Sequence, residues 1–283
     1  YQGCEHGCVY CYARNSHEYW GYGAGLDFER NILYKPTASQ LLEKHITKKS
    51  WEGHPIVFSG NTDCYQPIER KLEITRKCLE VMLKWKHPTG IITKNSLLLR
   101  DLDILKDLAR LNCISVNISI TSLSEKTRRL LEPRTASIKQ RLKVVEVLSE
   151  NNIPVRVMMA PIIPSLNSHE ILPLVKKVSE LGAKDVAYTV VRLNGQIAEI
   201  FRDWIYKALP DRAERILNQI AHCHGGSLND SRFGTRMRGE GEFALQIKET
   251  MALAKRKYLP GEKLQPLDVS HYLNLINPQT RLF

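Results

Sequence analysis

The stretch Cys113-Ile114-Ser115-Val116-Asn117-Ile118-Ser119-Ile120 decides the fold. Successive side chains of an extended strand point to opposite faces, so Ser115, Asn117 and Ser119 share one face and Val116, Ile118 and Ile120 the other. A parallel strand covered on both sides is apolar throughout. A polar row backed by an apolar one therefore points to a strand that lines a cavity on one side and meets helices on the other, although an exposed edge strand would alternate in the same way. Working outward, runs rich in Val and Ile at His54–Ser59, Thr89–Thr93, Val155–Ala160 and Asp185–Val191 also read as strands. Between them lie helical patterns at Thr37–Lys49, Glu69–Lys86, Asp101–Asn112, Ser137–Asn151 and Ser168–Leu181; in the second, Leu72, Cys78, Leu79, Met82 and Leu83 fall on one side. The alternation predicts an α/β fold with a mainly parallel sheet, and five strands are too few for an eight-fold barrel. Past Asn194-Gly195 only helices are expected, at Gln196–Leu209, Asp211–His222 and Glu242–Tyr258, with a Gly/Arg-rich stretch between the last two. The expected division is a core over residues 1–195 and a C-terminal helical extension over 196–283 packed on it.

With 283 residues, 43% of them apolar, the chain can fill a sizeable core, which excludes a disordered chain and a disulfide-stapled miniature. It has no uninterrupted apolar run of membrane-spanning length and no signal-peptide pattern, so the expected location is cytoplasmic, with no membrane partner. Position 1 is Tyr rather than Met, and the numbered chain is expected to begin inside a longer one. The formal net charge of +11 is spread along the chain without a basic tail. It points to nucleic acid or another anion as partner, and equally to a basic protein that binds no polyanion.

Three of the seven cysteines crowd into Gly3-Cys4-Glu5-His6-Gly7-Cys8-Val9-Tyr10-Cys11, a C-x3-C-x2-C loop, while Cys64, Cys78, Cys113 and Cys223 are scattered. Thiolates on so short a loop suit three corners of a soft-metal site, and cysteine is the usual ligand of iron–sulfur clusters. A four-iron cubane would keep one iron free. Zinc, with His6 or His17 as a fourth ligand, is the structural alternative.

This spacing, with aromatic Tyr10 before the third cysteine, resembles the radical SAM superfamily. The resemblance implies a partial (β/α)6 TIM-like barrel, with the cluster loop directly after its first strand. Only three residues precede Cys4, so that strand is expected to be truncated. It further implies a 4Fe–4S cluster on Cys4, Cys8 and Cys11 whose open iron chelates S-adenosyl-L-methionine, and reductive cleavage to a 5′-deoxyadenosyl radical that abstracts a substrate hydrogen. An external one-electron reductant of flavodoxin or ferredoxin type is then needed. Cofactor contacts are expected from Lys94 at a strand end to the methionyl carboxylate, and from Gly60, Asn61 and Thr62 to the amino group. Tyr10, and Ile162 or Ile163, are expected against adenine, Asn117 and Ser119 on the polar face of their strand, and Arg192 at the end of the last strand.

The wider pattern, Thr62-Asp63-Cys64-Tyr65-Gln66-Pro67-Ile68-Glu69 with Ile92-Thr93-Lys94 and Ser231-Arg232-Phe233-Gly234-Thr235-Arg236, is similar to an uncharacterised, DNA repair photolyase-like group related to spore photoproduct lyase. That similarity implies a lyase acting on nucleic acid, in which a cysteine near the end of an early strand returns the hydrogen. Gly60 matches that position here, and Cys64, a few residues later, is the candidate hydrogen donor, with a semi-buried thiol as the alternative. Arg232, Arg236 and Arg238 are expected to contact substrate phosphates, since guanidinium forks match phosphate oxygens. A reading from another class is a nucleic-acid-binding protein in which the cysteine loop is a structural metal site.

Overall fold

The computed structural model describes residues 1–261 and 264–277. Its strands are β1 (Ile56–Phe58), β2 (Thr89–Thr93), β3 (Ile114–Ser119), β4 (Val155–Ile162) and β5 (Asp185–Val190), all parallel and in the order β1-β2-β3-β4-β5. Each crossover adds its strand on the same side of the last. That is how a barrel wall grows; a doubly wound sheet reverses direction at a switch point. Among the described residues β1 and β5 pair on one side only, so the wall is a partial, TIM-like barrel. Gln2 makes an isolated antiparallel bridge to Leu33.

The alternation in β3 reads out as expected. Ile114, Val116 and Ile118 are buried under the helices, while Ser115 and Asn117 on the other face are half-buried. In the Leu102–Arg110 helix, Ile104, Leu105 and Leu108 fall within one turn of each other and bury together, whereas Asp103 and Arg110 stay outside. The Ile138–Glu150 helix starts on a capping box, in which Ser137 accepts the Gln140 amide and the Gln140 side chain accepts the Ser137 amide.

Three local features depart from the sequence expectation. The stretch expected as one helix over Glu69–Lys86 is two, Glu69–Leu72 and Ile74–Lys84, broken at Glu73 with φ +51°. The buried Glu69 carboxylate takes the Thr75 amide at 3.1 Å and Arg100 at 2.9 Å, satisfying the start of the second helix from outside the helical ladder. A 3₁₀ segment, Tyr12–Trp20, follows the cysteine loop, and a helix at Glu125–Leu131 precedes the expected one at Ser137. Both are short and carry little apolar periodicity to read.

Among the described residues, four α-helices, Ile197–Ala208, Ala213–His222, Gly241–Tyr258 and Ser270–Ile276, follow β5. Their apolar faces pack on the barrel and on one another. Ala244, Ile247, Met251 and Ala254 complete the main core with Leu174, Val175 and Val178, and Lys255 pairs with Asp185 of β5 at 2.5 Å. Ile197, Phe201 and Ile216 pack with Cys8 and Tyr10. No helix among the described residues is long and apolar enough to cross a membrane.

Candidate functional site

A cavity of about 350 Å³ opens at the C-terminal ends of the strands, the end of a parallel barrel at which ligands bind. Its wall includes Cys4, Cys8 and Cys11 from the N-terminal loop, Lys94 after β2, Ser119 ending β3 and Arg192 after β5. The loop is held open by its glycines. Gly3 has φ +84°, and a Cβ there would meet the Asn31 carbonyl at 2.8 Å. Arg14, also buried, clamps it from behind, donating to the Cys8 carbonyl at 3.0 Å and to Ala24 and Gly25 at 3.0 and 2.9 Å while pairing with Glu29.

All seven cysteines are free thiols. Burial pushes the Cys4 thiol up to about 12 and the Cys8 and Cys11 thiols above their ordinary value, so a bound cation would have to draw off their protons. Among the described residues no three His, Cys, Asp or Glu side chains converge as they would on one metal ion. A four-iron cluster puts each thiolate on a different iron and so does not require the three to converge on one point, and all three cysteines line one cavity. Of the histidines that zinc would require, His6 lines the cavity but is held 3.4 Å from Asp63 and 3.2 Å from the Asn95 amide. His17, its ring nitrogens without hydrogen-bond partners among the described residues, lies outside the lining, stacked on Tyr22 and edge-on to Phe28. The donor set therefore fits an iron–sulfur cluster better than zinc.

Lys94 stands beside the thiols. Burial works against its charge, but Cys8, Glu132 and Asp63 outweigh burial and raise the ammonium above its ordinary value. Its Nζ lies 6.0 Å from the centre of the Tyr10 ring, and its amide is held by Asp63 at 2.8 Å. Asn61 and Thr62 also line the cavity, but their side chains are spent on the chain's own start, Asn61 donating to Gln2 at 2.8 Å and Thr62 to the Tyr1 carbonyl at 2.8 Å. Gly60 lies outside the lining and offers its carbonyl to the Tyr12 hydroxyl at 2.8 Å.

Asn117 is not among the lining residues; its amide donates to the Ile91 carbonyl at 3.1 Å, below the cavity floor. Ile163 is turned away into the apolar cluster with Leu193 and Phe201, so the wall of β4 is made by Met158, Ala160 and Pro161 instead. Nor is Cys64 brought to the cavity: it is buried in the main core with Tyr65 and Leu79, its own amide bonded to Ser59 at 2.8 Å. Its neighbour Asp63 points the other way, into the site.

The three arginines of the C-terminal loop separate. Arg232 is paired with Asp230 at 2.9 Å and Glu240 at 2.7 Å. Arg238 lies 4.0 Å over the Tyr188 ring and donates to the Tyr188 carbonyl at 3.0 Å. Arg236 has an exposed aromatic neighbour, Phe233, at 5.8 Å, and sits close enough to Arg192 that its charge, after burial, lowers the Arg192 guanidinium below its ordinary value. Met237 brings this loop onto the cavity rim, where its carbonyl takes the Val190 amide at 2.9 Å.

The sequence reading also missed the residues behind the loop. Tyr10 donates its hydroxyl to Glu132, which pairs with Arg141 at 2.6 Å, both charges fully buried. Glu132 ends a helix too short to be read from periodicity. The one available signal was a charged pair, Glu132 and Arg134, bracketing Pro133.

A family model described as the radical SAM superfamily matches residues 1–178. An uncharacterised protein of Mycobacterium tuberculosis is 28% identical over 217 residues, which are 76% of this chain and 64% of that protein, so the match spans less than two thirds of that relative's length. An uncharacterised protein of Methanocaldococcus jannaschii is 29% identical over 222 residues, 78% of this chain and 79% of the relative. Among solved structures, spore photoproduct lyase complexed with dinucleoside spore photoproduct superposes with a TM-score of 0.63 at 17% identity, covering 92% of this chain and 73% of that one, a likeness of fold. The family's members use a 4Fe–4S cluster and S-adenosylmethionine, the pair of cofactors that three thiols and a lysine on one cavity are suited to hold. With more than half its length matched by the family model, this chain belongs to the radical SAM superfamily.

Proposed function

We propose that this chain is a radical SAM enzyme in which Cys4, Cys8 and Cys11 hold a 4Fe–4S cluster and Lys94 receives the carboxylate of S-adenosylmethionine, over a core of residues 1–195. A cluster held there and reduced by an external one-electron donor would supply the chemistry of reductive carbon–sulfur cleavage of S-adenosylmethionine, to methionine and a 5′-deoxyadenosyl radical. The observation that carries this reading is that the three thiols and the Lys94 ammonium line one cavity at the C-terminal ends of the strands. The remaining work belongs to the protein. Lys94 orients the methionyl end by charge, and the buried wall keeps water from a reactive carbon centre. Anaerobic reconstitution with iron and sulfide, followed by dithionite and S-adenosylmethionine, should release 5′-deoxyadenosine. Zinc without iron and sulfide after that treatment overturns the reading.

The substrate we assign is a nucleic acid. Arg192 lines the cavity and Arg236 lies close enough for its charge to act on it, an arrangement that an anion relieves, and Phe233, 93% exposed beside Arg236, offers a face on which a base can stack. The spread +11 charge favours the same partner. Spore photoproduct lyase, whose fold this chain shares, is described with a dinucleoside photoproduct bound, which is in keeping with nucleotide chemistry here. Binding of a fluorescent single-stranded oligonucleotide at low salt tests this; no binding there removes the nucleic acid and leaves the radical chemistry standing.

A further inference from the structure

Arg141 is one of the largest fully buried side chains among the described residues, and each of its three guanidinium nitrogens donates a hydrogen bond. Nε donates to the Ala136 carbonyl at 2.9 Å, Nη1 to the Ser119 carbonyl at 2.9 Å, and Nη2 to Thr135 Oγ1, while Nη2 also lies 2.6 Å from Glu132 Oε2 as an ion pair. The other Glu132 oxygen accepts the Tyr10 hydroxyl and, at 3.1 Å, the Thr121 hydroxyl. The segment that carries Glu132 is stitched to both halves of the site. The Leu131 carbonyl takes the Val9 amide at 3.1 Å, Arg134 donates its amide to the His6 carbonyl at 3.2 Å, and Ala136 donates its amide to the Lys94 carbonyl at 3.2 Å.

A buried ion pair contributes little net stability compared with apolar residues of the same volume, because the desolvation of two charges offsets their attraction. What it does contribute is direction, since Arg141 is fixed by its own three hydrogen bonds and Glu132 by the two hydroxyls on its other oxygen. Here the directions lead from Ser119 and Lys94 on the barrel wall, through Arg141 and Glu132, to the tyrosine inside the cysteine loop.

We infer that Glu132, fixed by Arg141, is a positioning residue: it locks the Tyr10 phenol behind the cysteine loop and so sets the loop's thiols in register with Lys94. This rests on the function proposed above for its meaning in S-adenosylmethionine binding, while the positioning of the loop stands without any cofactor. Glu132→Gln keeps the volume and an acceptor for Tyr10 but leaves Arg141 without its counter-charge. In the apo protein, alkylation of Cys8 by iodoacetamide, followed by mass spectrometry, is expected to be about tenfold faster in Glu132→Gln, an energy difference of the size of one lost charged hydrogen bond. In the reconstituted protein, affinity for S-adenosylmethionine should fall by a similar factor, and the change that S-adenosylmethionine induces in the spectrum of the reduced cluster should shrink. Glu132→Asp should recover part of each.

Wild-type alkylation rate, affinity and spectrum in Glu132→Gln overturn the inference. If that variant does not fold, Glu132→Met with Arg141→Met removes both charges together. Wild-type affinity and Cys8 protection in the folded double variant would also overturn it, and loss of both would support it. Should the wild type itself take up no iron and sulfide, the proposed function fails, and the Cys8 alkylation rates alone decide the positioning.

Discussion

The Asp63 carboxylate accepts the backbone amide of Lys94 at 2.8 Å and the Thr93 hydroxyl at 2.7 Å, so the turn after β1 is tied to the end of β2 through the residue next to the proposed cofactor lysine. The same carboxylate takes the Tyr65 amide at 2.9 Å and faces His6. Lys94 is thus aimed by its backbone, and the charge that aims it also favours its ammonium.

Replacing Asp63 with Ala leaves several buried donors unsatisfied, at a cost of about 2–3 kcal/mol. The variant should unfold at lower urea than the wild type. In the reconstituted protein it should bind S-adenosylmethionine more weakly than Asp63→Asn, which retains an acceptor.

Gly3→Ala attacks the loop through its backbone. At φ +84° an alanine is strained wherever it sits, and its Cβ would press on the Asn31 and Phe28 carbonyls, at 2.8 and 3.0 Å, which cannot step aside as a flexible side chain does. A destabilisation of about 1–3 kcal/mol follows, together with lower iron occupancy, read from denaturation curves and from iron assay of the same preparation.

The cysteines divide by where their thiols lie. Cys8→Ala should abolish iron and sulfide uptake. Cys64→Ala should keep both, along with 5′-deoxyadenosine release, and cost about 1 kcal/mol as a small cavity beside Tyr65 and Leu79. Loss of 5′-deoxyadenosine release from iron-loaded Cys64→Ala would show that this buried thiol reaches the chemistry.

The barrel was legible because its signals are periodic: the alternation of β3, the Val/Ile runs and the amphipathic helices each repeat over several residues. The cysteine loop was legible because its spacing is local. Glu132, Arg141 and Arg14 were not, since buried charge carries no periodicity, and a buried arginine reads in sequence like a surface one. The loop arginines show the limit most plainly. Arg232, Arg236 and Arg238 lie within seven residues of sequence and look alike there, yet their partners, Asp230 with Glu240, Phe233 and Tyr188, were set by folding.

Asp230 gives the C-terminal loop a pH dependence. Its hydrogen bonds with Arg232 hold its carboxyl well below the usual carboxylate range despite burial, with His224 Nδ1 3.5 Å away. A folded-state value below the unfolded one, about 3.9, means that its stabilisation is complete above that pH and is lost as the pH falls from about 4 through the folded value. The unfolding free energy of the wild type should therefore drop more steeply between about pH 4 and pH 2 than that of Asp230→Asn, and urea titrations across that range measure the difference. Parallel curves would mean that Asp230 is not the group responsible.

The same pairing separates two arginines that sequence made equivalent. Arg232 is neutralised by Asp230 and Glu240, so removing it frees two carboxylates and loosens the loop without taking away an available cation. Arg236 faces Arg192 and Phe233, so its charge is available to a phosphate. A lysine or arginine that contacts one phosphate contributes roughly one unit to the slope of log affinity against log salt, slightly less for a single strand. Arg236→Ala should lower the slope for a single-stranded oligonucleotide by about that amount and weaken binding evenly across sequences, with thermal stability nearly unchanged. Arg232→Ala should do the reverse, lowering the melting temperature while keeping the slope. Fluorescence anisotropy at a series of salt concentrations, beside a thermal melt of each variant, reads both effects; equal slopes for wild type and Arg236→Ala would move the nucleic-acid contact away from this rim.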